Sequence, residues 1–508
     1  MKNARAPLNL TLLCIAIVTG LSACSNNSNP AVDINTAPVA NDQSIILAED
    51  ITTAITLSGS DADNDTLTYN VSTPANGSLS GTGANLSYTP NANYNGEDSF
   101  SFTVNDGTEN SAPATISIVI TPVNDLVSYQ SAAVVIGQAD FTGTVVNQGG
   151  AAGANSLFLP YSIAAVSNGI LYQTDWNNSR VLGFNSIPDI NNQNADFVIG
   201  QPDFTTTART TTATSFDGPD AVVFDNNKMF VLDYGNDRIL IWNTIPASGG
   251  IPADVVLGQT DFTSTSGTGC TATGVVGLET LSVVNGKMLV ADAENNRVLI
   301  WNNIPETNNV AADIVLGQQD FTHCAINDTD NDGVPNSASA STLNYPAGVW
   351  TDGTRVVVSD YRNHRVLIWN SFPTSNFAPA DVVLGQSDFI KSTANDDNQD
   401  GANDMVASAR TFNNPYGVHS NGSQLYLADN SNNRVLIWNT FPGSNFTPAD
   451  VVLGQANFTF KRANDDNGDG ATDTASARTL NNPSAVYING SQLFVTDNSN
   501  NRVLIYNE

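Results

Sequence analysis

The sequence predicts an all-β protein: a small Ig-like β-sandwich followed by a six-bladed β-propeller. Three observations carry this. The phrase "VVIGQADF" at residues 134–141 returns as "FVIGQPDF", "VVLGQTDF", "IVLGQQDF", "VVLGQSDF" and "VVLGQANF", with Gly137, Gly200, Gly258, Gly317, Gly385 and Gly454 spaced 58 to 69 residues apart. Each copy yields four short Val/Ile/Leu strands punctuated by Gly, Asn, Asp and Pro, and four-stranded sheets repeated in this way imply a propeller. Ahead of the repeats, about seven alternating strands crowd into residues 38–125, which suggests a sandwich.

Residues 1–24 read as an export signal. Lys2 and Arg5 precede an apolar run over 11–21 that is too short to span a bilayer stably, and the run ends in Leu21-Ser22-Ala23-Cys24. That ending resembles a bacterial lipobox, which implies lipidation of Cys24 and, with Ser25 rather than Asp following, anchoring at the outer membrane or cell surface. Residues 25–37 are Asn- and Ser-rich and read as a polar tether.

The chain carries 18 basic and 49 acidic residues, a net charge of −31, and loss of residues 1–23 removes two basic groups and no acidic one. Such a balance excludes nucleic acid and anionic lipid surfaces as partners, because phosphate binding needs clustered Lys and Arg. Membrane contact is expected only through the lipid anchor. Of the four cysteines, Cys270 and Cys324 lie in equivalent loops of neighbouring repeats. A disulfide suits that placement in an oxidising exterior, with two free thiols as the alternative.

The sandwich segment contains Pro38-Val39-Ala40, Asp61-Ala62-Asp63-Asn64-Asp65, Tyr94-x-Gly96-x-Asp98-x-Phe100 and Asn105-Asp106-Gly107. It resembles bacterial cadherin-like repeats, and the resemblance implies calcium ligands at Glu49, Asp61, Asp63 and Asp106. Oxygen-only clusters suit a hard cation, although Asp and Asn also shape turns.

Over residues 126–508 a second phrase, D-x-x-N-x-R, recurs from Asp175, Asp233, Asp292, Asp360, Asp429 and Asp497. An orphan fourth strand at 134–138 precedes the first copy, and the last copy lacks its own. The two defects complement each other, so the N-terminal strand is expected to close the ring. The repeats resemble NHL repeats, whose members serve as scaffolds for protein, RNA or glycan contacts. A few related six-bladed propellers are metal-dependent lyases or lactonases. What all copies share is expected to serve folding: the Asp–Arg pair, and the aromatic four residues after each Arg (Phe184, Trp242, Trp301, Trp369, Trp438, Tyr506), packed between blades.

Function is expected where copies differ. Copies four to six carry insertions of the form D-x-[DN]-x-D-G, starting at Asp328, Asp396 and Asp465. Their candidate calcium ligands are Asp328, Asp330, Asp332 and Asn336; Asp396, Asn398, Asp400 and Asp404; and Asp465, Asn467, Asp469 and Asp473. The spacing matches positions 1, 3, 5, 6 and 9 of an EF-hand-type loop, but Ser339, Ala407 and Ser476 stand where a bidentate Glu would complete it. Only three histidines exist, His323, His364 and His419, with no hydrolase or zinc motif, and His364 reads as a surface residue. The expected function is therefore a calcium-binding, surface-anchored scaffold or adhesin whose propeller contacts protein or polysaccharide. The alternative is a metal-dependent lyase or lactonase that uses the central channel.

Overall fold

The computed structural model describes residues 35–49, 51–91, 94–121, 126–162, 165–265 and 269–507. The signal, the lipobox Cys24 and all but the last three residues of the tether lie outside these. The chain divides into two compact units, one built from residues 1–45, 52–89 and 97–118, the other from 46–51, 90–96 and 119–508.

In the N-terminal sandwich the polar–apolar alternation of the sequence becomes two-faced strands. Ala114–Thr121 sits between Gln43–Ala48 and Gly96–Asn105, with Thr68–Val71 at the far edge of the same antiparallel sheet. Thr53–Thr56, Asn85–Pro90 and Gly77–Thr82 make a three-stranded sheet. Alternate residues point inward: Ile116, Ile118 and Ile120 on one strand, Phe100, Phe102 and Val104 on its neighbour, Leu86 and Tyr88 on the other sheet. The buried Tyr88 hydroxyl donates to Asp98 at 2.7 Å, and Asp98 also accepts the backbone N–H groups of Ala75 and Asn76, so this inward carboxylate is fully used.

The second unit holds six four-stranded antiparallel sheets, five of them wound in chain order. Sheet one is Ala165–Ser167, Ile170–Asp175, Arg180–Phe184 and Phe197–Ile199. Sheets two to five begin at Pro219, Leu278, Pro346 and Pro415 and end at Leu257, Leu316, Leu384 and Leu453. Sheet six takes Pro483–Asn489, Gln492–Asp497 and Arg502–Asn507 from the end of the chain and Val134–Ile136 from before sheet one, with Val135 opposite Leu504. Consecutive sheets share apolar cores, as Phe230 and Ile241 do with Leu281 and Val290. Val134 and Phe494 of sheet six share one with Leu171 and Phe184 of sheet one.

The expected six-bladed propeller closed by the N-terminal strand is corrected here. The described strands form nine separate open sheets, and none is closed or curled into a propeller or barrel. Four strands joined by successive hairpins are too few for a sheet to close on itself. Each repeat is instead a small open sheet that buries its faces against neighbours. The fold is all-β, made of several small antiparallel sheets.

The D-x-x-N-x-R phrase forms the turn between second and third strands in every copy. A short 3₁₀ turn follows the Asp in five of the six copies. In all six, the residue before the Arg takes a positive φ, between 47° and 55°, which suits the short polar residues found at most of them. Asp and Arg are fully buried and paired at 2.6–2.8 Å in all six sheets. Each Arg then spends its remaining N–H groups on loop carbonyls; Arg297, for example, reaches Thr271 and Gly274 at 2.9 and 2.8 Å. The following aromatics are buried in the cores between sheets, and Trp242, Trp301, Trp369 and Trp438 each donate the indole N–H to a carbonyl at 3.0–3.1 Å. Cys270 and Cys324 are joined by a disulfide with Cα atoms 6.1 Å apart.

Candidate functional site

The three acidic insertions share one backbone path. The first Asp of each is buried, and one of its oxygens accepts the N–H of the glycine five residues on: Asp328 from Gly333 at 3.0 Å, Asp396 from Gly401 at 2.8 Å, Asp465 from Gly470 at 2.9 Å. Those glycines have φ near +80° to +88°, so the sharp turn requires them. The residue before each first Asp ties the loop down. Asn327, Asn395 and Asn464 exchange side-chain hydrogen bonds with Asn363, Asn432 and Asn500 of the D-x-x-N-x-R turns.

In the first loop, one oxygen from each of Asp328, Asp330 and Asp332 lies within 4.8 Å of the others. It is the one such group of three among the described residues. Asn336 donates to Asp330 at 3.1 Å. Burial pushes Asp328 up, but backbone N–H groups from Gly333 and Asn331 outweigh it and hold the carboxyl below its ordinary value. In the second loop Asp404 accepts the N–H of Asp397 at 2.9 Å and Asn398 accepts that of Asp400 at 2.9 Å. In the third, Asn467 accepts from Asp469 at 2.9 Å and Asp473 from Asp466 at 3.2 Å. The position of the absent twelfth ligand lies against the buried Arg of the neighbouring turn. The backbone carbonyls of Ser339 and Ser476 accept from the buried Arg365 and Arg502.

The sandwich carboxylates do not come together as a group of three. Asp61 accepts the N–H groups of Asp63 and Asp65 at 2.9 and 3.0 Å, Asp63 that of Thr36 at 2.7 Å, and Asp106 those of Thr108 and Glu109 at 2.7 Å. They shape turns. Glu49 is buried beside the end of its strand.

His364 is half-buried, not a surface residue, and occupies the left-handed position before Arg365. Its Nδ1 accepts the N–H of Asn414 at 3.1 Å. Asn296, Asn433 and Asn501 make the same bond to the next sheet with their amide oxygens. Burial lowers the imidazole from 6.5 to about 4. The unfolded chain therefore takes up this proton first, and stability present above pH 6.5 is lost as the pH falls through about 4. His364→Asn, the residue three other copies use, is expected to fold and to flatten the fall in melting temperature across that window. An unchanged slope in melts at stepped pH would remove His364 as its source.

Sequence reasoning missed a second constellation. Between the sheets lies a cavity of about 290 Å³ walled by Tyr161, Trp176, Tyr234, Tyr345, Tyr361 and Tyr416, with Asp220 and Glu279 among its lining residues. The signal was present. Trp176, Tyr234 and Tyr361 each follow the turn Asp, where the other copies have Ala293, Asn430 and Asn498. Tyr161, Asp220 and Tyr416 each follow a proline at or shortly before a first strand, where sheet six has Ser484.

Over residues 35–119 the chain matches the family described as bacterial Ig domain, well under half of its length. No curated protein matches. Among solved structures it is similar to an endo-fucoidan hydrolase from glycoside hydrolase family 107, 27% identical over 17% of this chain and 14% of that one, TM-score 0.15. This chain thus spans far less than two thirds of that hydrolase. A putative phosphatase from Bacteroides thetaiotaomicron VPI-5482 is 11% identical over 93% of this chain and 98% of that one, TM-score 0.40. A nidogen/laminin complex is 15% identical over 57% and 82%, TM-score 0.30. All three scores are below 0.5 and carry no argument about activity.

Two expectations are corrected by these findings. The matched family is an Ig domain in the first unit, and the NHL-repeat resemblance of residues 126–508 is unsupported. The scaffold that binds partners through a propeller falls with the propeller, and so does a lyase or lactonase working in its channel. The cavity of about 260 Å³ beside the first strands has His419 as its one imidazole and no carboxylate among its described lining residues.

Proposed function

We propose that this chain is a multidomain all-β protein of adhesion type, in which the Ig domain contacts a protein or polysaccharide at the cell surface and the acidic loops bind structural calcium. The observation that carries the calcium reading is the Asp328–Asp330–Asp332 group, oxygen-only and already turned by the Asp328–Gly333 hydrogen bond. The adhesion reading is supported by the Ig-domain match and by the Cys270–Cys324 disulfide, a bond of oxidising exteriors. Anchoring through a lipid on Cys24, at the outer membrane or cell surface, belongs to the same proposal and rests on the Leu21-Ser22-Ala23-Cys24 ending.

Calcium titration calorimetry on the detergent-solubilised, chelator-stripped chain tests it. Saturable binding with an affinity on the order of 10⁻⁴ M is expected, because each loop lacks a bidentate carboxylate. At ten times that concentration each occupied site stabilises the fold by about 1.4 kcal/mol, so the melting temperature rises. Asp328→Asn together with Asp330→Asn should remove the heat of the first loop. Absence of heat and of any melting shift at millimolar calcium would end the calcium reading.

A further inference from the structure

The aromatic cavity supports an inference that goes beyond adhesion and calcium. Its wall is a chain of touching rings. Tyr234 meets Trp176 with centroids 6.1 Å apart, Trp176 meets Tyr161 at 5.3 Å, and Tyr161 meets Tyr416 at 6.3 Å. Tyr416 then meets Tyr361 at 5.6 Å, and Tyr361 meets Tyr345 at 5.7 Å. Glu279 joins the end of this chain to its middle: Tyr345 donates its hydroxyl to Oε1 at 2.6 Å, and Tyr416 donates to Oε2. Five sheets contribute, and no two of these rings come from equivalent places in adjacent copies by necessity of the fold, since other copies fill the same places with Ala, Asn or Ser.

The charge is as distinctive as the wall. Glu279 is 5% exposed and Asp220 2% exposed; the two carboxyls share a side-chain hydrogen bond, and Asp220 Oδ1 has no further donor. A buried carboxyl oxygen without a donor is costly, and a ligand that brings a donor relieves it. Burial and the adjacent Glu279 push Asp220 well above the ordinary carboxyl range, so the pair holds a proton that a cation could replace. Asp237 and Glu294 add negative potential at Tyr234. Two guanidiniums lie against the wall: Arg209 over Trp176, already paired with Asp217 at 2.7 Å, and Arg362, exposed at the rim, which stacks on Tyr345 and is itself a lining residue. Carboxyls outnumber the unpaired guanidinium. The hydroxyls of Tyr345 and Tyr416 are committed to Glu279, so the floor offers acceptors rather than donors.

We propose that this cavity is a binding site for a small organic ammonium ion, its cationic head held against the aromatic wall and above the Asp220–Glu279 floor. Ring faces attract a cation through their quadrupole, and a desolvated carboxyl floor adds charge complementarity.

The test titrates the full chain with choline and with 3,3-dimethylbutan-1-ol, its uncharged carbon isostere, reading calorimetric heat and tryptophan fluorescence. Choline should bind saturably and the isostere at least about tenfold more weakly. Trp176→Asn and Asp220→Ser place at these positions residues that sheets five and six already carry there, so both variants should fold, which circular dichroism checks. Each should weaken choline by about tenfold or more, while calcium heats stay unchanged. Equal binding of choline and its isostere would overturn the proposal. So would binding of glucose in place of choline, or no binding by choline, ethanolamine or tetramethylammonium up to about 10 mM.

Discussion

Arg365→Met is expected to destabilise the second unit by about 3–5 kcal/mol, because it leaves a buried carboxylate without its counter-charge. Arg365 and Asp360 are both wholly buried, with Nε 2.7 Å from Oδ2. The same guanidinium holds the carbonyls of Ser339 and Thr342 at 2.9 Å, and that of Phe389. Asp360 keeps only the Asn363 amide and the Asn344 N–H, each at 2.7 Å, once the arginine is gone. Burial already raises the Asp360 pKa, with Arg365 the main influence opposing it, so removing Arg365 raises it further. A raised carboxyl contributes stability below its unfolded value of 3.8 that is lost as pH rises through the folded value. The deficit of the variant should therefore shrink as melts are repeated towards pH 3.8. Arg365→Lys keeps the charge but not the planar fork, and should fall between the two. A methionine variant within about 1 kcal/mol of the parent at neutral pH would mean that these six buried pairs are replaceable packing.

That ion pair was legible in the sequence because all six copies repeat it, and repetition marks what every sheet needs. The same logic read the strands, and the aromatics after each Arg, from pattern alone. It failed at the next level. Four strands per copy state how each sheet is made, not how sheets are disposed; the ring was extrapolated from the repeat count and the orphan strand, and the catalytic channel from resemblance. His364 looked like a surface exception because sequence shows its neighbours and not Asn414, fifty residues on, whose N–H it accepts. The aromatic cavity was missed for a related reason. Each of Trp176, Tyr234 and Tyr361 looks like a tolerated substitution within its own copy. Only the packing of sheets one to five brings them to one place with Glu279. The acidic loops were found because their carboxylates are close in sequence, which is also why their turn geometry follows from Gly and Asn at positive φ.

Deleting residues 131–142 should prevent the second unit from folding cooperatively. These residues stand far from sheet six in sequence, yet Val134, Val135 and Ile136 pair with Ile505, Leu504 and Val503 and are at most 6% exposed. Burial of three such side chains is worth roughly 5–9 kcal/mol, comparable with the whole stability of a typical domain. The segment also supplies polar ties. Gln138 donates to the carbonyl of Asn501 at 3.0 Å, and the Phe141 carbonyl accepts from Arg502. Its removal uncovers the edge of Arg502–Asn507, a row of unpaired backbone groups that invites association. The expected result is loss of the main melting transition and concentration-dependent aggregation. A synthetic peptide of residues 131–142 added in trans should restore the transition by strand addition, which separates a missing strand from general misfolding. An unchanged melting temperature in the deletion variant would show that the last three strands suffice as a sheet.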